Sequence, residues 1–509
     1  MAESGLAAAR RLLDGGQYAA AASAYREAAA AYPGLAAVWA GLGGANAGRG
    51  EYGEAIAAFR RALTLSPQDA ALRVNFARAL FALGHVTPAM QETERAIVEG
   101  TPEVRAVALR NQAIMAPGDP ALDNAAILAI RRRWAEAEAA SVRPLNARPR
   151  RGPKLRIAYT GAFFDKPNWM KMYMGVINAH DRARFEVNLI VDGGLPCAEA
   201  GYRDHDADRI WHVDGVPNET LAQHIVAAGI DVLVDLNGYS HPSRLPLLLH
   251  RAAPVQVAWN GMFATTGFPH LDALVGDEWA IPPEEERFCT EPLRRVAQTY
   301  LPFAMFYATP PVAPPPCLRN GHVTFGSFAS AYKITAPTIG LWAAVLRACP
   351  DARLLLRNRA LDHASNRADL LGRFAAQGIA AQRLTLLGGA PHADFLRGYD
   401  EVDIALDSIP YNGGTTTVEA LWQGVPVLTT IGDRWAGRTS RSILMAAGLP
   451  HFVAPDAAGL VALAARLAAD PPALAAQRAT QRDRIAASAA ADPAALCREL
   501  EALYLDLAR

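Results

Sequence analysis

The chain has 509 residues, 51% hydrophobic and 20% charged, enough apolar material for roughly three or four cores of about 150 residues each and too little charge for disorder. Fifty basic residues balance fifty acidic ones, which argues against nucleic acid as the main partner. The five cysteines are scattered, with no C-x-x-C pair or metal-like spacing, and no apolar run reaches the ~18 residues of a membrane span, so the expectation is a soluble, cytoplasmic protein with reduced thiols and no metal site.

Residues 1–103 repeat with a period of 34: Gly16, Gly50 and Gly84 are in register, as are Tyr18, Tyr52 and Val86, then Ala21, Ala55 and Ala89, then Ala28, Ala62 and Ala96. Aromatic Tyr25 and Phe59 fall on the second helix of each unit, and Pro33 and Pro67 close it. The pattern resembles the tetratricopeptide repeat, a stack of helix pairs whose groove takes a peptide or protein. Residues 104–153 read as a helical linker. Within it Arg131 to Arg133 and Trp134 read as a solvated face, and the proline- and arginine-rich stretch from Arg143 to Pro153 as the connection itself.

From Leu155 the period changes to short β-rich runs separated by helical stretches. Leu155–Tyr159, Phe185–Val191, Ile230–Leu236 and Val255–Trp259 belong to a first set, over residues 154–308. A second set, over 317–470, comprises Val323–Phe328, Arg353–Arg357, Leu384–Leu387, Val402–Leu406 and Pro426–Thr430. Such alternation predicts two doubly wound parallel sheets of Rossmann type, hinged at Thr309–Pro316, with helices completing the chain over 471–509.

The most informative segment runs from Asp407 to Thr430. It joins an apolar strand to Gly413-Gly414, three hydroxyls (Thr415, Thr416, Thr417) at a predicted helix start, Glu419, and a second strand. Glycines admit close backbone approach, and the free N–H groups and dipole of a helix start favour a phosphate. Glu419 sits where a ribose diol would be gripped. Only four of the fifty basic residues are lysine: Lys154, Lys166, Lys171 and Lys333. Lys333 follows a predicted strand end, where a compact cation would pair with a diphosphate. Arg357, at the next strand end, is a second candidate for the nucleotide.

The order of repeats and two α/β lobes, together with Phe325-Gly-Ser-Phe-x-x-x-Tyr-Lys-Ile-Thr335 and Pro410-Tyr-Asn-Gly-Gly-Thr-Thr-Thr-Val-Glu-Ala-Leu-Trp-Gln-Gly-Val-Pro426, resembles the O-linked N-acetylglucosamine transferase/SPINDLY family. Asn237-Gly-Tyr-Ser240, Arg251-Ala-Ala-Pro-Val-Gln-Val257 and Gly261-x-x-x-Thr-Thr-Gly267 match it in the first lobe. The resemblance implies a GT-B fold and an inverting, metal-independent transfer from a nucleotide sugar to protein Ser/Thr hydroxyls. It implies no other cofactor. It places Tyr332, Lys333, Arg357, Gly413, Gly414, Thr415, Thr416, Thr417 and Glu419 on the donor side, with Lys333 on the diphosphate as the catalytic residue. Gly414 stands where N-acetylglucosamine transferases carry histidine and is closer to the SPINDLY side, which is associated with protein O-fucose. The donor is therefore UDP- or GDP-linked. On the sugar and acceptor side stand Gly261, Met262 and Phe263 in place of a Gly-Tyr-Pro turn, Lys166 near the position of a loop histidine, and His241. Asp165, His241 and His270 are the candidate bases by location, and a proton passing through the donor phosphate needs none of them.

The reading that follows is a protein O-glycosyltransferase whose repeats select the acceptor, with a flagellin-like surface subunit as one conceivable client. Its rivals are a GT-B enzyme acting on a small or lipid-linked glycan, and a catalytically silent scaffold.

Overall fold

The repeat glycines owe their register to backbone geometry: Gly16, Gly50 and Gly84 adopt φ of +71°, +80° and +82°, the left-handed region that glycine enters without steric cost. Each turns the chain between the helices of a pair. In the computed structural model, which describes residues 2–149 and 152–509, these helices are α1 (Ala2–Asp14), α2 (Tyr18–Ala31), α3 (Ala36–Gly48), α4 (Tyr52–Leu65), α5 (Ala70–Ala82), α6 (Val86–Glu99) and α7 (Pro102–Met115). Ala21, Ala55 and Ala89 are fully buried. The aromatic column packs against glycine: a Cβ on Gly41 would come within 2.2 Å of the Tyr25 ring, and one on Gly43 within 2.5 Å of Phe59. A small residue facing a large one is how the repeat keys its helices together.

The chain divides into two compact units. The first joins the repeats, Met1–Leu122, to Pro316–Tyr411 and Ala464–Ala469. Beyond α1–α7 it holds four strands in parallel, ordered β10-β9-β8-β11: β8 (Thr324–Ser327), β9 (Arg353–Arg357), β10 (Leu384–Leu387) and β11 (Ile404–Leu406). The repeats join this lobe through the helix Ala364–Ala375. Asn366, 1% exposed, accepts from the Gly53 N–H (2.9 Å) and donates to the Gly50 carbonyl (2.8 Å), and Asp369 meets His85 at 2.9 Å. The left-handed turns within two of the repeats thus lie at the points of attachment.

The second unit contains Asp123–Pro315, Asn412–Leu463 and Asp470–Arg509. Its seven parallel strands, ordered β3-β2-β1-β4-β5-β6-β7, are β1 (Leu155–Gly161), β2 (Phe185–Val191), β3 (Arg209–His212), β4 (Val232–Asp235), β5 (Val255–Ala258), β6 (Ala273–Asp277) and β7 (Leu293–Val296). Strands β12 (Val427–Thr430) and β13 (Val453–Ala454) pair in parallel in the same unit. The order reverses between β1 and β4, so the loops at the carboxyl ends of these strands flank the crevice where doubly wound sheets bind ligands. The lobes expected from sequence over 154–308 and 317–470 meet a different division: compaction keeps a boundary at the proline-rich stretch and sets another between Tyr411 and Asn412. The chain end expected to be helical over 471–509 forms helices Pro471–Ala486 and Pro493–Leu507. The latter is pinned by Glu501, which accepts from His180 (2.9 Å) and from the Asp181 N–H (2.9 Å).

One reading is corrected. Helix Asn124–Ala139 does not present Arg131 and Trp134 to solvent, as both are 1% exposed. Arg131 lies 3.6 Å over the Tyr239 ring and donates to the Thr265 carbonyl, and Trp134 meets Tyr239 and Phe268 edge-on. Every third or fourth position of that helix faces the unit's core, which turns one arginine of the run inward and leaves Arg132 and Arg133 outside. The connecting stretch from Arg143 to Pro153 has no regular structure where described, and Arg150 and Arg151 lie outside the described residues. Among the described residues no single helix is long and apolar enough to cross a membrane.

Candidate functional site

The first unit carries Lys333 as the sequence predicts, in the loop after β8. That loop forms a short turn over Ala331–Lys333 and runs into helix Ala336–Ala348, capped by the Thr335 hydroxyl. Thr335 and Thr338 donate to the Ile409 carbonyl (2.6 and 2.7 Å), and Trp342 donates to that of Asp407 (3.0 Å). The loops following β8 and β11 are thereby fixed to each other. Tyr332 and Tyr411 meet edge to face at 5.9 Å, and the Lys333 ammonium lies 4.3 Å from the centre of the Tyr411 ring. Lys333 is half-buried. Loss of hydration pushes its pKa down to about 8, against the opposing attraction of Asp407. Arg357, at the end of β9, has its guanidinium 5.8 Å from the Phe328 ring.

The second unit carries the rest of the donor-side candidates. Gly413 and Gly414 lead into helix Thr415–Trp422, and no side chain caps its start. A Cβ on Gly414 would sit 3.4 Å from the Thr439 methyl, in ordinary van der Waals contact. Gly414, Thr415 and Thr416 are half-exposed, and the positive end of the helix dipole lies at this turn. Thr417 points inward, its hydroxyl 2.7 Å from that of Ser440, which in turn donates to the Gly413 carbonyl (3.3 Å). It supports the turn from beneath.

Glu419 lies in the same helix, one turn beyond its start. It is 3% exposed and forms an ion pair with Lys171, whose side chain is wholly buried. The Tyr307 hydroxyl lies 3.4 Å from the same ammonium. Burial pushes the Lys171 pKa down, and the Glu419 carboxylate opposes that shift. Sequence reasoning named Lys171 only as one of four lysines. Lysine scarcity was the available signal, and the loop after β1 gave no pattern pointing to a partner 248 residues away.

The loops after β1 and β4, which carry further candidates, meet. Lys166 pairs with its neighbour Asp165, and His241 stands edge-on to Phe163 at 5.8 Å with its Nδ1 2.9 Å from the Ser243 hydroxyl. Ala162 donates its N–H to the Asn237 side chain (2.9 Å), joining the two loops. Gly261, at φ +73°, leaves no room for a side chain, since a Cβ would lie 2.0 Å from the Asn237 carbonyl. Met262 is wholly buried, as core, whereas Phe263 is half-buried at φ +52°. His270 is exposed. Asp208 is held by Arg182 at 2.8 Å. Among the described residues, one group has metal-ligand chemistry: His180, Cys497 and Glu501. Its atoms are engaged with one another and with the Tyr159 hydroxyl, 2.6 Å from the His180 Nε2.

At the end of β4, Asp235 is 1% exposed; one carboxylate oxygen accepts from the Gly238 N–H (2.7 Å), and the other has no hydrogen-bond partner. Burial raises its pKa to about 7. A carboxyl held protonated in the fold but ionised in the unfolded chain stabilises below its unfolded value, and that contribution is lost as pH rises through about 7. Asp235→Asn is therefore expected to flatten the decline in unfolding free energy between pH 5 and pH 8 by about 2–3 kcal/mol in urea titrations. Parallel wild-type and variant curves would refute this.

The model of glycosyl transferase family 41 matches residues 140–305 and 317–500, and tetratricopeptide models match 6–70 and 46–113. Similar curated proteins include two described as probable UDP-N-acetylglucosamine–peptide N-acetylglucosaminyltransferase SPINDLY. That of Oryza sativa subsp. japonica is 33% identical over 298 residues, covering 58% of this chain and 31% of its own length; that of Arabidopsis thaliana is 34% identical over 295, covering 57% and 32%. The chain thus spans about a third of these relatives. A solved structure of an O-GlcNAc transferase mutant from Thermobaculum terrenum superposes with a TM-score of 0.84 at 30% identity, covering 100% of this chain and 97% of that one. Helical repeats followed by two parallel-sheet α/β domains match that GT-B architecture.

Proposed function

Because the chain belongs to glycosyl transferase family 41, we propose that it transfers a sugar, with inversion and without a metal ion, from a nucleotide-sugar donor to Ser or Thr hydroxyls of a protein. In the reaction the acceptor oxygen bonds to the anomeric carbon while the bond from that carbon to the diphosphate oxygen breaks, and the nucleoside diphosphate departs with the electron pair. The hydroxyl proton passes to Asp165, to His241 or to the departing phosphate. Charge builds on the diphosphate, so catalysis is chiefly electrostatic. Lys333 supplies the cation, beside the Tyr411 ring. The observation that carries this reading is the lysine itself, held against Tyr411 at the carboxyl end of a parallel strand. The descriptions of the relatives support a protein acceptor and a UDP-N-acetylglucosamine donor. Gly414 in place of histidine keeps a GDP-linked fucose as the alternative donor.

Nucleotide class is tested by the thermal midpoint of the full chain with UDP, GDP, CMP and their sugar conjugates. A ligand at 100-fold its Kd adds about 2.7 kcal/mol, so one of UDP or GDP should stand out, with its conjugate tracking it. Stabilisation by none of them would defeat the proposal. Acceptor choice is not tested by removing residues 1–103, since that cut would uncover Asn366 and Asp369, which bind the repeats. Substitutions within the repeat groove avoid that damage.

A further inference from the structure

The repeats do more in this molecule than stack beside the lobe that carries Lys333. At the end of α5, Phe81 lies flat against Tyr332, with ring centres 5.2 Å apart and planes 24° from parallel. Tyr332 meets Tyr411 edge-on, and the Lys333 ammonium lies 4.3 Å from the centre of the Tyr411 ring. Three rings in series therefore run from the third repeat to the lysine. The residues after Phe81 grip the same loop. Gly84, at φ +82°, packs so closely that a Cβ would fall 2.4 Å from the Ile334 carbonyl and 2.9 Å from that of Ala331. Arg373 donates to the carbonyls of both Leu83 and Ile334, tying the repeat turn to the lysine loop through one guanidinium. A small cavity at this seam is lined by Leu83, Ala331, Ile334, Asn366 and Arg373. The turn Ala331–Lys333 is three residues long, so its path follows these contacts on one side and the anchors at Thr335 and Thr338 on the other.

We propose that Phe81 is a positioning residue for Lys333: by stacking on Tyr332 it sets the aromatic wall that holds the ammonium, making the third repeat part of the donor-diphosphate site. The inference rests on the reading of Lys333 as the diphosphate lysine. It gives the repeats a role in donor binding in addition to acceptor choice, and it requires that a disturbance in the array reach the nucleotide through a ring stack.

The test uses the full chain, with Phe81→Leu, Phe81→Tyr, His85→Gln and Lys333→Met compared for UDP and GDP affinity by calorimetry. Phe81 is half-buried, so leucine fills most of its space without the flat ring. Phe81→Leu is expected to weaken binding of whichever nucleotide the wild type takes by about 3- to 10-fold, the scale of one stacked aromatic pair. Phe81→Tyr should restore it. His85→Gln breaks the contact with Asp369 without touching the rings, and should lower the thermal midpoint while leaving affinity unchanged. The alkaline limb provides a readout that a purely structural role would not move. Wild-type affinity should fall as the pH passes about 8, where Lys333, faced by Asp407 and the Tyr332 and Tyr411 phenols, loses its proton. In Phe81→Leu water reaches the ammonium and that midpoint moves upward. Wild-type affinity and pH midpoint in Phe81→Leu, with Lys333→Met impaired, would overturn the positioning role alone. Unchanged binding in Lys333→Met, or no binding of either nucleotide by the wild type, would overturn the reading beneath it as well.

Discussion

Replacing Lys171 with methionine is expected to lower the unfolding free energy by about 3–5 kcal/mol, the usual cost of stranding one member of a buried ion pair. Both partners are closed off from solvent, Lys171 at 0% and Glu419 at 3% exposure, and the Tyr307 hydroxyl near the ammonium offers no compensating charge. Methionine conserves length and volume, so the loss isolates the charge rather than a cavity. The double substitution Lys171→Met with Glu419→Gln removes both charges and should recover most of the stability, since the desolvation cost disappears with them. The same pair of proteins separates two jobs for Glu419. If the carboxylate also grips the donor ribose, the refolded double variant keeps its stability but loses nucleotide affinity. If the pair serves only to seat helix Thr415–Trp422 beside the loop after β1, affinity survives. Equal stability of wild type and Lys171→Met in urea would sink the ion-pair argument.

How much of this the sequence disclosed depends on how local each feature is. The repeat columns were legible because a left-handed turn admits glycine and a crossing admits alanine, at fixed spacing, in every unit. The start of helix Thr415–Trp422 was legible for a similar reason, since glycines followed by threonines spell a strand-to-helix turn without reference to the rest of the chain. Strands β3, β6, β7 and β13 were not found. β3 and β7 lie at the sheet edges and expose arginines, and β13 has two residues; β6 is buried, but its apolar run is only Ala273 to Val275 before Gly276 and Asp277. Arg131 defeated the reading of its helix because three consecutive arginines look alike in sequence, and only packing against Tyr239 and Thr265 turns one of them inward. The Lys171–Glu419 pair and the Phe81–Tyr332 stack were beyond reach for the same reason: each joins distant segments, and neither leaves a spacing to read.

Lys333→Ala is expected to reduce turnover by about 10²- to 10³-fold, the scale seen when a group stabilising developing charge is removed. Three features of its surroundings argue for an effect of that size. The ammonium rests against an aromatic face, where water competes poorly. The loop that carries it is bound to the loop after β11 through Thr335 and Thr338, so the charge is in place before the bond breaks and little reorganisation is required. Burial lowers its pKa to about 8 against the attraction of Asp407, and the negative charge of a diphosphate would favour the protonated form further. A pH consequence follows with a definite sign. The protonated form is the active one, so kcat/KM is expected to hold below about pH 8 and decline above it. Lys333→Ala should lose that alkaline limb together with its rate. Lys333→Arg keeps a charge at all accessible pH, yet its planar fork does not reproduce a compact ammonium over one ring; it should abolish the limb while recovering only part of the turnover. A decrease of less than tenfold in Lys333→Ala, with the limb intact, would move the charge stabilisation from Lys333 to another group.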